Sequence, residues 1–233
     1  MGSDPEQLAA TLRELARLDP VELGLQVVLD RIVQAAATGC DSTGGVGLLL
    51  LGPDGQLRYV VAAGRPRRSL ADAQVRLAEG PSVDAFLQAA PVSSSDLAAE
   101  PRWPNVRPLA LAAGIRAWLS VPVHQRHGPI GALDFAHTEP RRWRRHDLAA
   151  AHAYAQLLMA TLGLATPQQE ERLSPALRFA VQHDIRIEQA RDVIMQRERL
   201  DQAAAVELLR LQAQIEGQPI RAVAERLLAH PRR

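Results

Sequence analysis

Between Ile187 and Leu228 the apolar residues recur at helical spacing in three separate registers, and no other pattern in the chain restricts its folding as much. Ile187, Ala190 and Ile194 fall at i, i+3 and i+7, on one stripe of an α-helix. Asp201 then interrupts the pattern as a good N-cap for a second helix, whose face carries Ala205, Leu208, Leu209 and Ala213. Gly217 suits a left-handed C-cap and Pro219 the first turn of a third helix, in which Ile220, Val223, Ala224, Leu227 and Leu228 keep the amphipathic spacing. Three short helices, each apolar on one side, are not stable singly, so a small bundle is expected. The Ile187, Ala190 and Ile194 stripe fits two roles, bundle core alone or core plus a seam with a second copy of the chain.

The preceding residues read as an α+β layer. Gln7–Leu18 and Pro20–Thr38 have the spacing of two helices, and Gly44–Leu51 is a compact apolar run that suits a central strand. Gly52-Pro53-Asp54-Gly55 is a turn signal before a second strand, Leu57–Ala62. Arg65–Arg68 reads as a charged loop, followed by a mixed stretch to Leu77. A short helix, Ser82–Gln88, is introduced by Pro81. Pro91–Ser94 reads as a short strand, Asp96–Pro108 as an irregular loop, and Ala110–Gly114 as the end of a small helix. Arg116–Val123 and Gly131–Ala136, parted by a polar turn at Gln125–Gly128, should pair antiparallel in a sheet of four or five strands. A helix over Arg145–Leu164 is expected to turn Ala149, Ala153, Leu157 and Leu158 inward. Helices before and after an antiparallel sheet give an α+β domain over residues 1–165. Residues 166–175 are polar and read as a linker, and residues 176–233 form the helical module, entered by a long helix that can couple the two mechanically.

Composition excludes several classes of function. Aromatic residues are only 3% of the chain against 47% hydrophobic, so the core is built from Leu, Val, Ile and Ala. The net charge of +1 argues for neither nucleic acid nor membrane, and all 27 basic residues are Arg, a bias shared by the whole chain. The one cysteine, Cys40, leaves no internal disulfide and no Cys-built zinc site, which fits a reducing cytoplasm. The acidic N-terminus lacks a signal-peptide core, and the longest apolar run, Val46–Leu51, is too short for a bilayer. No catalytic or metal site is expected. His124 and His127 would diverge in a strand and turn, Ser93–Asp96 is not a nucleophile elbow, and Gly44–Gly47 lacks the Lys and Ser/Thr of a phosphate loop. Asp84, Asp96 and Asp134 are open to lining a ligand pocket or to capping helices and turns, with capping the preferred reading.

Two family resemblances lie on these residues. Leu77-Ala78-Glu79-Gly80-Pro81-Ser82, Asp84, Pro91-Val92, Asp96-Leu97, Pro101-Arg102-Trp103-Pro104, Leu119-Ser120-Val121-Pro122-Val123 and Gly131-Ala132-Leu133-Asp134 together resemble a GAF domain of the actinobacterial sensor type, over roughly residues 20–165. Ile187-Glu188-Gln189-Ala190-Arg191, Val193-Ile194-Met195, Ala205, Leu208-Leu209-Arg210 and Val223-Ala224-Glu225 resemble the ANTAR domain, an RNA-binding antiterminator output module. The first resemblance implies a sensor pocket with Ser82, Asp84, Asp96, Trp103 and Asp134 around an unknown small molecule, with no cofactor identified. Members often carry Cys where Ser82 stands, so thiol chemistry is not expected there. The second implies an RNA face of Arg186, Gln189, Arg191, Arg197 and Arg210, with Ile187, Ala190 and Ile194 as dimer or core seam. Together they imply a cytoplasmic, homodimeric, non-enzymatic regulator that binds a stem-loop in nascent RNA. The alternative is a small-molecule-binding module whose helical tail meets a protein partner. GAF-fold methionine sulfoxide reductases are set aside because they need several cysteines.

Overall fold

The computed structural model describes residues 5–52, 56–64, 68–125, 128–164, 173–216 and 220–229. It divides into two compact units, residues 1–178 and 179–233.

The first unit is built on a five-stranded antiparallel sheet of β1 (Gly45–Leu51), β2 (Leu57–Ala63), β3 (Val92–Ser94), β4 (Ala117–Gln125) and β5 (Gly128–His137), in the order β2-β1-β5-β4-β3. The apolar run of β1 is buried on both faces because helices cover both sides of the sheet, and its edges are paired with β2 and β5. One face is covered by α3 (Leu25–Gly39) and α7 (Arg145–Leu162), which pack on each other, with α1 (Pro5–Leu15) against both. The other carries α4 (Arg68–Leu77), α5 (Pro81–Gln88) and α6 (Val106–Ala112).

Four local expectations are corrected. The single helix expected over Pro20–Thr38 is broken into α2 (Pro20–Leu23) and α3, because Gly24 adopts φ 87°, which stops one helix and starts the next. The mixed stretch before Leu77 is the helix α4, whose Leu70, Ala71 and Ala73 are buried; tertiary burial there outweighs an unremarkable sequence. The loop expected over Asp96–Pro108 holds a 3-10 turn, Leu97–Ala99, and the first turn of α6. The inward stripe of α7 is Ala150, Ala151, Tyr154, Ala155, Leu158 and Leu162, while Ala149 is exposed and Ala153 and Leu157 are half-buried. The helix is set in that rotation by Asp147, which accepts from the Arg144 N–H at 2.7 Å and pairs with Arg141 at 2.7 Å.

The second unit is helical. α8 (Pro175–Glu198) starts before the division between the units and runs through it, followed by α9 (Gln202–Glu216) and α10 (Ile220–Ala229). Asp201 caps α9 as its sequence position predicts, its carboxylate accepting from the Ala204 N–H at 2.8 Å. Ile187, Ala190, Ile194, Ala205, Leu209, Ala213, Val223 and Ala224 form one core. The predicted Gly217 cap and Pro219 start, most of the linker, and the centres of the Pro53-Asp54 and Arg126-His127 turns lie outside the described residues.

Candidate functional site

The centre of β5 places a carboxylate in the interior of the first unit. Asp134 is 6% exposed, lies opposite Ser120 across β4 and opposite Gly47 across β1, and so faces the α5 side. Its Oδ1 accepts from the Ser120 hydroxyl at 2.7 Å and its Oδ2 from the Ser82 hydroxyl at 2.6 Å. Ser82 is held in turn by α4, since its N–H donates to Gln74 Oε1 at 3.1 Å. Gly80 makes that approach feasible: its φ is 127°, and a Cβ there would collide with the Gln74 side chain. Burial pushes the Asp134 carboxyl up to about 6, against the two serine hydroxyls, which favour the charged form. The Trp118 indole N–H comes close enough to act in the same direction as the serines. It completes a hydrogen bond with no group among the described residues, although Trp118 is 5% exposed.

Asp134 and Trp118 line a cavity of about 30 Å³, whose other walls are Gly44–Gly47, Tyr59, Ala71, Ile115 and Ala136. The lining is apolar apart from these two side chains and the Tyr59 hydroxyl, and it contains no cationic residue. Such a site can receive hydrogen-bonding groups but offers no charge to an anion.

The remaining expected pocket residues are placed around this centre rather than in it. Trp103 is buried, and its indole N–H donates to Asp84 Oδ2 at 2.8 Å, which ties the segment after β3 to α5. Asp96 caps the 3-10 turn through the Ala98 N–H at 3.0 Å and pairs with Arg116 at 3.0 Å; these contacts hold its carboxyl below the usual range. Capping therefore describes Asp96, whereas Asp134 sits mid-strand and caps nothing, and Asp84 serves as an acceptor for tryptophan. Nearby, Glu79 accepts from the Asn105 and Val106 N–H groups at 2.7 and 2.9 Å and so starts α6. Of the five predicted residues, Ser82 and Asp134 are brought together, Asp84 and Trp103 form a second pair, and Asp96 stands apart.

Sequence reasoning missed Ser120, Trp118, Tyr59 and Gln74. The apolar segments Arg116–Val123 and Gly131–Ala136 place Trp118, Ser120 and Asp134 on strands, but only the register of β4 against β5 puts them on one face of the sheet. Gly44–Gly47, set aside as a phosphate loop for want of Lys and Ser/Thr, forms cavity wall.

In the helical unit, Ile187 and Ala190 are 0% exposed and Ile194 1%, all covered by the chain's own bundle. The core reading of this stripe is thus what the bundle displays. Arg186, Gln189 and Arg197 are exposed and, at ~100° per residue, project within ~80° of one another. Arg191 is turned ~140° from Arg186, on the other flank of the buried stripe, so the four residues of α8 do not share one face. Arg191 pairs with Asp192 at 2.6 Å and Arg197 with Glu198 at 2.8 Å. Arg210 lies on α9, and its side chain is outside the described residues.

Cys40 is buried, and burial, followed by the nearby Asp147 charge, pushes its thiol up to about 12, so it is inert as a nucleophile. Among the described residues no group of three or more His, Cys, Asp or Glu could hold a metal ion, and no helix is long and apolar enough to cross a membrane.

Comparison with known proteins places these features. Residues 22–162 match the family model of the GAF domain, and residues 176–228 that of the ANTAR domain, both of them regulatory domains. No curated protein matches the chain. Among solved structures, the GAF domain of an Acinetobacter phosphoenolpyruvate-protein phosphotransferase is similar with TM-score 0.53 and 17% identity, over 66% of this chain and 91% of that one. The free methionine-R-sulfoxide reductase of Neisseria meningitidis, in complex with its substrate, gives TM-score 0.56 at 17% identity over 70% and 93%. A phycocyanobilin-bound GAF domain from a cyanobacterial phytochrome gives 0.52 at 15% over 71% and 96%. At these identities the likeness establishes the fold alone. With more than half of its residues matched, the chain belongs to the GAF-domain family, and its GAF domain is followed by an ANTAR domain.

Proposed function

We propose that the protein is a signal-responsive, cytoplasmic transcription antitermination regulator of actinobacterial type, which binds a stem-loop in nascent RNA through its ANTAR domain. The observation that carries this reading is the order of the two matched domains, with the single helix α8 leading from one compact unit into the other. A ligand in the GAF domain would alter RNA binding by changing the packing or pairing of that helix. Methionine sulfoxide reduction of the kind that needs several cysteines does not fit the chain, whose only cysteine is the buried Cys40.

Arg186, Gln189 and Arg197 form the RNA face on α8, Arg191 contacts phosphate from the other flank of that helix, and Arg210 of α9 adds a further phosphate contact. Structured RNA is recognised by shape and by loop bases, so the net charge of +1 does not oppose binding. A homodimer, joined through surfaces other than the covered Ile187 and Ile194 stripe, would present two such faces and engage two hairpins at high effective concentration. Crosslinking of transcripts to the protein in its native cell, compared with Arg191→Glu/Arg197→Glu, tests the reading. Enrichment of a defined set of leader transcripts, lost in the double variant, is expected; equal enrichment of the same transcripts by both proteins would remove Arg191 and Arg197 from the RNA contacts.

A further inference from the structure

Two polar groups inside the GAF domain lack the partners that their burial calls for. The Asp134 carboxylate is compensated by two hydroxyls, with no cation in the lining of the cavity beside it. The Trp118 N–H, in the same lining, has no acceptor among the described residues. A buried carboxylate bonded by two hydroxyls, with the indole N–H near it but not aligned on it, has lone pairs to spare, and the indole donor still lacks an aligned acceptor. One group calls for a donor and the other for an acceptor, and the two lie side by side.

We infer that this cavity takes the polar edge of a compact neutral ligand in which a hydrogen-bond donor and an acceptor are adjacent, as in a carboxamide, a lactam or a urea. The ligand N–H meets the Asp134 carboxylate, and its carbonyl receives the Trp118 N–H. The inference rests on the reading of the GAF domain as the receptor of a signal, and it names the chemistry of that signal.

Other classes fit less well. A carboxylate or phosphate would be repelled by Asp134 and would find no cation in the lining. An ammonium ion would satisfy Asp134 but offer nothing to Trp118, whose N–H edge carries positive charge towards it. Size points the same way: at about 30 Å³ the cavity admits the edge of a molecule rather than its bulk. The body then lies against the apolar wall of Tyr59, Ala71 and Ile115.

The test uses the full chain without RNA and reads binding of 2-pyrrolidinone by saturation-transfer NMR. Three analogues share the ring: N-methyl-2-pyrrolidinone lacks the donor, pyrrolidinium lacks the acceptor, and cyclopentanone lacks the N–H altogether. Saturable binding of the lactam, with each analogue weaker by about three- to tenfold for every hydrogen bond it cannot make, is the expected result. Trp118→Phe keeps a ring in place and removes the N–H, and should weaken the lactam by a similar factor while leaving N-methyl-2-pyrrolidinone behind it by the same ratio as before. Equal binding of lactam and N-methyl lactam to the unaltered protein, tighter binding of pyrrolidinium, or no saturable binding of any of them would overturn the inference, and none of these needs a variant to fold. Since RNA is absent, such a failure leaves the antitermination reading standing, and a protein that binds the lactam but no transcript would separate the two in the opposite sense.

Discussion

The hydroxyl of Ser82, at the start of α5, donates to the carboxylate of Asp134 in the middle of β5 across 2.6 Å, and joins the covering helix to the sheet in a buried contact. Replacing Ser82 with Ala removes one of the two donors on a buried charge. A hydrogen bond to a charged group contributes about 1.5–3 kcal/mol, so Ser82→Ala should destabilise the GAF domain by about that amount in urea titrations. A change under about 0.5 kcal/mol would mean that the contact does not hold α5 in solution.

Asp134 also sets a pH dependence. Burial raises its carboxyl from 3.8 to about 6, so between these values the folded domain binds a proton that the unfolded chain releases. The contribution is fully present below pH 3.8 and is lost as the pH rises through about 6; above that, the buried charge costs on the order of 3 kcal/mol. Domain stability should therefore rise as the pH is lowered from 7 to 5. Asp134→Asn should flatten this window in thermal melts, and an unchanged slope would show that Asp134 does not titrate there.

Trp103 separates packing from hydrogen bonding. Its ring fills the core between α5 and α6, and its N–H donates to Asp84. Trp103→Phe keeps most of the ring and loses the bond, for about 1.5–3 kcal/mol, whereas Trp103→Ala should cost about 3–5 kcal/mol through the cavity it leaves. Equal losses in the two variants, measured by denaturant midpoints, would assign the whole effect to Asp84.

A charge placed in the ANTAR core should unfold the bundle and leave the first unit folded. Ile194 is 1% exposed in its core, and Ile194→Asp buries a charge with no partner, at a cost of several kcal/mol. All three tryptophans, Trp103, Trp118 and Trp143, belong to the first unit. The variant should lose helical circular dichroism while keeping the native tryptophan emission; a shifted emission would show that the first unit depends on the bundle for its fold.

Arg186 and Arg197 share one flank of α8 and Arg191 the other. If the first flank meets RNA, Arg186→Glu/Arg197→Glu should reduce the slope of log affinity against log salt by about 0.7–0.9 for each phosphate that is no longer neutralised. Arg191→Glu should reduce it less. The reverse order, measured over about 50–200 mM salt, would place the RNA on the opposite flank.

The strands and the ANTAR bundle were legible because their signals are local. A short apolar run such as Gly44–Leu51, closed by the Gly52-Pro53-Asp54-Gly55 turn signal, suits a buried strand, and Asp201 before Ala205, Leu208 and Leu209 marks a helix start within four residues. The α7 stripe was misread by about one residue, because Ala is nearly neutral in an amphipathic pattern and the rotation was set by Asp147 and its partner Arg141.

The candidate pocket was legible only in part. Ser82 and Asp134 carried a family resemblance, but fifty-odd residues separate them, and neither residue's neighbours in the chain indicate that they touch. Capping, preferred from sequence for all three aspartates, is a local contact and describes only Asp96. What the chain's own order of residues determines is the set of elements, since each is fixed by contacts within a few positions. The pairing of Asp134 with Ser82 and Ser120, the Trp118 N–H beside it, and the division of the arginines between two flanks of α8 were decided by strand register and helix rotation. Those are settled by burial across the whole fold, and no local spacing encodes them.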